Sequence, residues 1–122
     1  MYGLFRFLGV LRLLRFINLR NAALNGINLS FFQLSGIHLE GAQLKKANLR
    51  GANLSRAHLN GADLEGADLS GANMQGADLG HANLKDTRLH NTNLGGVDLS
   101  NTNLENVSLA RAIVDVPRGK SN

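Results

Sequence analysis

The chain has 122 residues, enough for one domain with a modest core and too few for a second. It contains no cysteine or tryptophan and only 5% aromatic residues, which excludes disulfides, thiolate metal sites and cysteine nucleophiles and points to an aliphatic core. The formal charge of +4 belongs to the two ends: residues 16–115 hold eight bases against nine acids, so a nucleic-acid-binding face along the body is disfavoured.

In residues 1–15, Arg6, Gly9, Arg12 and Arg15 fall on one side at helical spacing, with Phe5, Leu8, Leu11 and Phe16 elsewhere. The pattern predicts an amphipathic helix with a basic stripe. Its expected role is a cap whose apolar face covers the start of the next segment, which opens with the bulky Ile17, Ile27, Phe32 and Ile37. The alternatives are a helix lying on an anionic membrane surface and a contact with a partner protein. Arginines interrupt the apolar run and no small-residue cleavage site follows it, so it does not read as a secretory signal, and it is too short to span a bilayer. A cytoplasmic location is favoured on this reading, with peripheral membrane attachment as the alternative.

From Leu14 onward an apolar residue recurs every five positions without a phase slip. The inward ladder is Leu19, Leu24, Leu29, Leu34, Leu39, Leu44, Leu49, Leu54, Leu59, Leu64, Leu69, Met74, Leu79, Leu84, Leu89, Leu94, Leu99, Leu104 and Leu109, closed by Val114. Two residues before each stands a small or branched apolar residue, as in Ala42, Ala47, Ala52, Ala57, Ala62, Thr87 and Val97. Neither a 3.6-residue nor a 2-residue period keeps every fifth residue on one side over such a length, so something turns the chain every five residues. Gly, Asn, Asp, Ser, Lys and Arg fill the remaining positions, residues suited to tight turns. A bend of about 90° every five residues closes a square in about twenty.

The motif Ala-(Asp/Asn)-Leu-x-x, seen as Ala52-Asn53-Leu54, Ala62-Asp63-Leu64, Ala67-Asp68-Leu69 and Ala82-Asn83-Leu84, resembles that of the pentapeptide-repeat family. The resemblance spans residues 16–115, twenty repeats in five coils, with residues 116–122 as a short polar, basic tail. It implies an all-β fold, a right-handed four-sided β-helix solenoid with leucine and alanine inside. If coils stack at strand spacing, residues twenty apart become neighbours, and the column Lys45, Glu65, Lys85, Glu105 alternates in sign throughout. Arg20 likewise falls beside Glu40 and Asp68 beside Arg88, whereas Asp78 and Asp98 form an unfavourable pair.

No constellation points to catalysis, a cofactor or a metal. The glycines follow the turns rather than a phosphate loop, and the carboxylate pairs Asp63 with Glu65 and Asp68 with Asp78 fall on a convex wall. His38 and His58 are one coil apart and stack with Asp78 next in the column; they read as an outward polar ladder, although a metal could in principle bridge them. His81 and His90 belong to other columns. One wall, carrying Gln33, Ser35, Asn53, Ser55, Asn73, Gln75, Asn93, Gly95 and Gly96, is nearly uncharged and suited to packing against another flat surface.

The expected function is therefore a non-enzymatic scaffold with an unknown protein partner. The family resemblance supplies one alternative: some members mimic duplex DNA, bind type II topoisomerases such as gyrase and confer quinolone resistance. A near-neutral solenoid does not imitate a phosphate array. At the far end Val107, Leu109, Ile113 and Val114 are apolar, Pro117 stops regular pairing, and the tail is too polar to cover them, so the expectation is a homodimer closed tail to tail through the last coil.

Overall fold

The computed structural model describes residues 16–114. Within them the chain winds as a coil in which residue i pairs in parallel with residue i + 20, for example Asn18 with His38, His38 with His58, Asp63 with Asn83 and Asn83 with Asn103. Most pairings are single bridges, one in every five residues. The longest extended segments, β1 (Asn93–Leu94) and β2 (Ile113–Val114), pair in the same register.

The five-residue period has a backbone cause. The N–H of each alanine-position residue donates to the carbonyl of the leucine three before it, as from Ala47 to Leu44 at 3.1 Å and from Ala62 to Leu59 at 2.9 Å. In most turns the residue just before that donor has a positive φ, from +57° at Arg56 to +73° at Gly26; the turns before Thr102 and Ala112, in the last coil, do not. One such residue at the third position of a four-residue turn is the mark of a type II β-turn, which turns the chain sharply and favours Gly or Asn there. Non-glycine residues also accept the strain: Lys46, Arg56, His81 and Asp86 all sit at φ near +60°.

One repeat, Ala62 to Gly66, shows how every amide is satisfied. Ala62 N–H donates within its turn, Asp63 N–H to Ala42 O in the preceding coil at 2.9 Å, and Leu64 and Gly66 N–H to Asn83 O and Lys85 O in the following coil at 2.8 and 2.9 Å. The remaining donor, Glu65 N–H, goes to the Asp63 carboxylate at 3.2 Å. The same bond recurs from Ser55 to Asn53, Ser70 to Asp68, Gln75 to Asn73 and Lys85 to Asn83. Asn or Asp precedes leucine so often because it accepts the one amide that neither the turn nor the neighbouring coils reach.

Leucine and alanine point inward and are sealed by the coils on either side. Every ladder residue from Leu29 to Leu94 is buried, and Leu64 is 0% exposed. Each enclosed leucine contributes about 1.5–3 kcal/mol, a gain that exists only when another coil lies against it. Where alanine gives way to threonine the hydroxyl is satisfied: Thr87 donates to Leu84 O at 2.8 Å and Thr92 to Leu69 O at 2.7 Å. No buried side-chain polar atom among the described residues lacks a partner.

Three expectations need correction. The ladder is not uniformly buried: Leu19, Leu24, Leu99 and Leu104 are half-buried and Leu109 is 36% exposed, because among the described residues the outer coils are stacked on one side only. Phe16 does not belong to a helix; it lies in a turn with 71% of its surface exposed, at the entry to the first coil. Ile37 is fully buried within the stack, while Ile17 is 42% exposed and Ile27 and Phe32 are partly enclosed. There is no helix among the described residues, and the helix expected over residues 1–15, with Phe5, Arg6, Leu8, Leu11, Arg12 and Arg15, lies outside them, as does the tail 116–122.

Leu64→Asp, which puts a carboxylate among aliphatic side chains in the central coil, is expected to cost several kcal/mol, and Glu65→Ala less than about 1 kcal/mol. Thermal or urea melts of the two variants test this; comparable losses would contradict the inward and outward assignment.

Candidate functional site

The coil presents four faces, each built from the residues that flank one leucine column. The face around Leu34, Leu54, Met74 and Leu94 carries small polar side chains that satisfy one another. Asn53 Nδ2 donates to Gln33 Oε1 at 3.0 Å, the Ser35 and Ser55 hydroxyls are 3.0 Å apart, and Ser55 Oγ donates to Asn53 Oδ1 at 2.8 Å. Gly95 on the same face is buried. The face around Leu44, Leu64 and Leu84 and the face around Leu49, Leu69 and Leu89 carry most of the charge.

The charge ladders follow diagonals as well as columns. Lys45 Nζ lies 3.6 Å from Asp63 and Arg50 Nη1 lies 3.1 Å from Asp68, each eighteen residues on, while Lys85 reaches Glu105, twenty on, at 3.8 Å. Asp68 is bridged through its backbone to Arg88, yet its ion pair is with Arg50. The residues before and after a leucine both point outward on one face, so a long cation after the leucine slants back to the acid before the next one. The expected alternation of Lys45 with Glu65 is replaced by this diagonal. Hydrogen bonds from Ser100 hold the Asp98 carboxyl below its usual value.

Nothing encloses the carboxylate pairs. Asp63 is occupied in accepting from Glu65 N–H and Asn83 Nδ2, and Asp68 in accepting from Ser70 N–H and Arg50. The groove lined by Lys45, Lys46, Arg50, Glu65, Asp68 and Arg88 mixes both signs and lies open to solvent along a corner.

The face around Leu39 and Leu59 is different. The His38 and His58 rings stack at a centroid distance of 4.4 Å with 6° between their planes, as their one-coil separation requires. Glu40 joins them: its Oε1 lies 2.9 Å from His38 Nδ1, and its other oxygen accepts from Arg20 Nε. Arg20 Nη2 also lies 3.3 Å from His38 Nδ1. One donor atom from each of His38, Glu40 and His58 lies within 4.8 Å of the others. Burial tends to raise the Glu40 carboxyl, but hydrogen bonds to His38 and Arg20 and the Arg20 charge outweigh it, leaving it below its ordinary value. His81 stands apart at a corner, and His90 Nε2 lies 3.4 Å from Arg111 Nη1.

A profile of the family described as pentapeptide repeats matches overlapping stretches that together run over residues 14–114. The chain belongs to the pentapeptide-repeat family. Among solved structures, a pentapeptide-repeat protein from the Arabidopsis thaliana thylakoid lumen is 34% identical with a TM-score of 0.74, over 82% of this chain and 72% of that one. A pentapeptide-repeat protein from the cyanobacterium Cyanothece 51142 is 36% identical with a TM-score of 0.55, over 72% of this chain and 64% of that one. The likeness to QnrB1, a plasmid-mediated fluoroquinolone resistance protein, is 20% identical with a TM-score of 0.30 and carries no functional weight. A search of curated proteins found no match.

In this pentapeptide-repeat protein two surface features escape the repeat pattern. Glu40 and Arg20 join the histidine column, for which the spacings of two and eighteen were the available signal. Phe31 stands at a corner with φ +63° and is 73% exposed, its ring lying over the next corner so that a Cβ on Gly51 would fall 2.3 Å from a ring carbon. A phenylalanine at a positive-φ turn position otherwise held by Gly, Asn, Asp, Lys, Arg or His was the signal there.

Asp68 supplies a pH test. Burial raises its carboxyl, but Ser70 and Arg50 more than offset this, so the folded value lies below the ordinary 3.8. A depressed folded value means that the stabilisation is present above 3.8 and is lost as pH falls through the folded value. Urea midpoints followed from about pH 5 to about pH 2 should fall less steeply for Asp68→Asn, which keeps the acceptor for Ser70 N–H but cannot ionise. An unchanged slope would show that Asp68 does not contribute to acid unfolding.

Proposed function

We propose that this pentapeptide-repeat protein is a non-enzymatic scaffold that binds a protein partner through its uncharged face. The observation that carries this reading is the mutual satisfaction of Gln33, Asn53, Ser35 and Ser55 on a face whose only flanking charge is Arg56, which lowers the desolvation cost of covering it with a flat partner. The rigid stack below keeps that face in place. The grooves beside Lys45 and Arg50 and beside Ser55 and Gln75 are open to solvent, unlike the enclosed pockets that support catalysis. The helix expected over residues 1–15 enters this reading as a cover for the first coil, where Ile27 and Phe32 are only partly enclosed.

Mimicry of duplex DNA is not favoured. Glu40, Asp63, Asp68 and Glu105 are each paired with a cation, so the acids do not form an unbroken negative surface. Replacing Ser55 and Gln75 with Arg is expected to abolish capture of the native partner while leaving the melting temperature within a few degrees, and purified protein is expected to leave gyrase supercoiling unchanged. Retention of the partner by the Arg variant would reject the assigned face, and gyrase inhibition would reject the scaffold reading in favour of DNA mimicry.

The last described coil offers a second contact, between copies of the chain. Leu109, Ile113 and Val114 are 36%, 59% and 38% exposed, with Val107 half-buried beside them, and a two-fold partner would enclose them. Light scattering should show a dimer for the wild type and a monomer for Ile113→Lys with Val114→Lys, while the Ser55 and Gln75 substitutions leave the dimer intact. A wild-type monomer across micromolar concentrations would reject this contact.

A further inference from the structure

We propose that His38, Glu40 and His58 form a binding site for a divalent transition-metal ion, with Zn²⁺ the ion their donor set fits. Two imidazoles and one carboxylate, with a water completing a tetrahedron, are borderline ligands that suit zinc and exclude the hard cations Mg²⁺ and Ca²⁺, which take all-oxygen shells.

The backbone under these side chains is fixed. His58 N–H donates to Ile37 O at 2.9 Å and Leu39 N–H to His58 O at 2.8 Å, so bonds between adjacent coils bracket His38 and lock the register that stacks the two rings. Glu40 lies two residues beyond His38 and so points out of the same face. The three donor atoms lie within 4.8 Å of one another. Ligand atoms around a zinc ion are about 3.4 Å apart, from bonds of about 2.1 Å. The difference is within reach of side-chain torsions: the parallel rings must splay towards a common point, and no backbone atom need move. An ion bound at His38 Nδ1 takes the place of the present contact between that nitrogen and Glu40 Oε1.

The repeat itself gives an independent observation. At the position before leucine the fold gains from Asn or Asp, whose side-chain oxygen accepts the otherwise unpartnered amide two residues on, as Asn53 and Asp63 do. Histidine offers no such oxygen in that place. Two successive coils, at His38 and His58, give up this bond, and the two rings stand in contact in one column. Ala23, Gln33, Gln43 and Arg88 also stand where Asn or Asp is usual; what sets His38 and His58 apart is that both are metal-ligating side chains in ring contact, with Glu40 beside them.

One group opposes the ion. Arg20 binds Glu40 and lies 3.3 Å from His38 Nδ1, so a cation must displace its guanidinium; the side chain is 51% exposed and can swing into solvent. Asp78 follows His58 in the same column through a backbone bridge. Removing Arg20 therefore tightens the site, whereas a merely structural role for the cluster predicts no such gain.

The experiment is a calorimetric titration of the untagged full chain with zinc chloride, with circular dichroism to verify each variant. One saturable zinc per chain is expected, with a raised melting temperature because the ion ties adjacent coils together. His38→Asn and His58→Asn, which restore the residue type used elsewhere in the column position, should each weaken binding at least about tenfold while remaining folded. Arg20→Ala should strengthen it, and His81→Asn and His90→Asn should leave it unchanged. Absence of saturable binding up to about 1 mM zinc, unchanged affinity in His58→Asn, or weaker binding in Arg20→Ala would each overturn the assignment.

Discussion

The structure rests on the parallel pairing of each residue with the one twenty positions later. A single five-residue segment has one turn bond and no enclosed side chain, and by itself it has no reason to hold its shape. Set against the coils before and after it, the same segment places its remaining amides, as Asp63, Leu64 and Gly66 do with Ala42, Asn83 and Lys85, and shields its leucine on both sides. Hydrogen bonding and burial are thus won by the same act of stacking, and both weaken in the outermost described coils, around Leu19 and Leu109.

That register also decides the surface. Neighbours on this molecule are residues twenty or eighteen apart, and chemistry arises from which side chains happen to share a column or a diagonal. Arg50 meets Asp68, Lys45 meets Asp63, and Arg20 meets both Glu40 and His38 by this rule. On one face the rule yields a self-satisfied array of Ser, Asn and Gln; on the next it stacks two imidazoles beside a carboxylate. A rigid frame with independent faces suits the scaffold role proposed above. No helix among the described residues is long and apolar enough to cross a membrane.

Two kinds of departure from the repeat carry different meanings. Thr87 and Thr92 replace inward alanines, and their hydroxyls bond to Leu84 O and Leu69 O, so the core absorbs the change. His38, His58 and Phe31 depart on the outside: the histidines lack the turn-closing oxygen, and Phe31 holds a left-handed backbone that a bulky residue rarely adopts. Outward departures that weaken the local repeat are where function is to be sought.

The five-residue apolar period, the four-sided coil and the identity of the inward residues were legible in the sequence because each repeat states the same local rule, and twenty copies of a rule leave no ambiguity about register. The role of Asn and Asp before leucine was visible only as a preference; its cause, an amide left over once the turn and both neighbouring coils are served, needs the three-dimensional arrangement. The stacking of His38 on His58 followed from their spacing, but the arrival of Glu40 and Arg20 did not, because it depends on how long side chains slant between coils. Sequence fixes which residues lie in a column, since backbone hydrogen bonds permit one register. Which partners a flexible charged side chain takes within and across columns is decided by tertiary geometry, where alternatives a few ångströms apart differ little in energy.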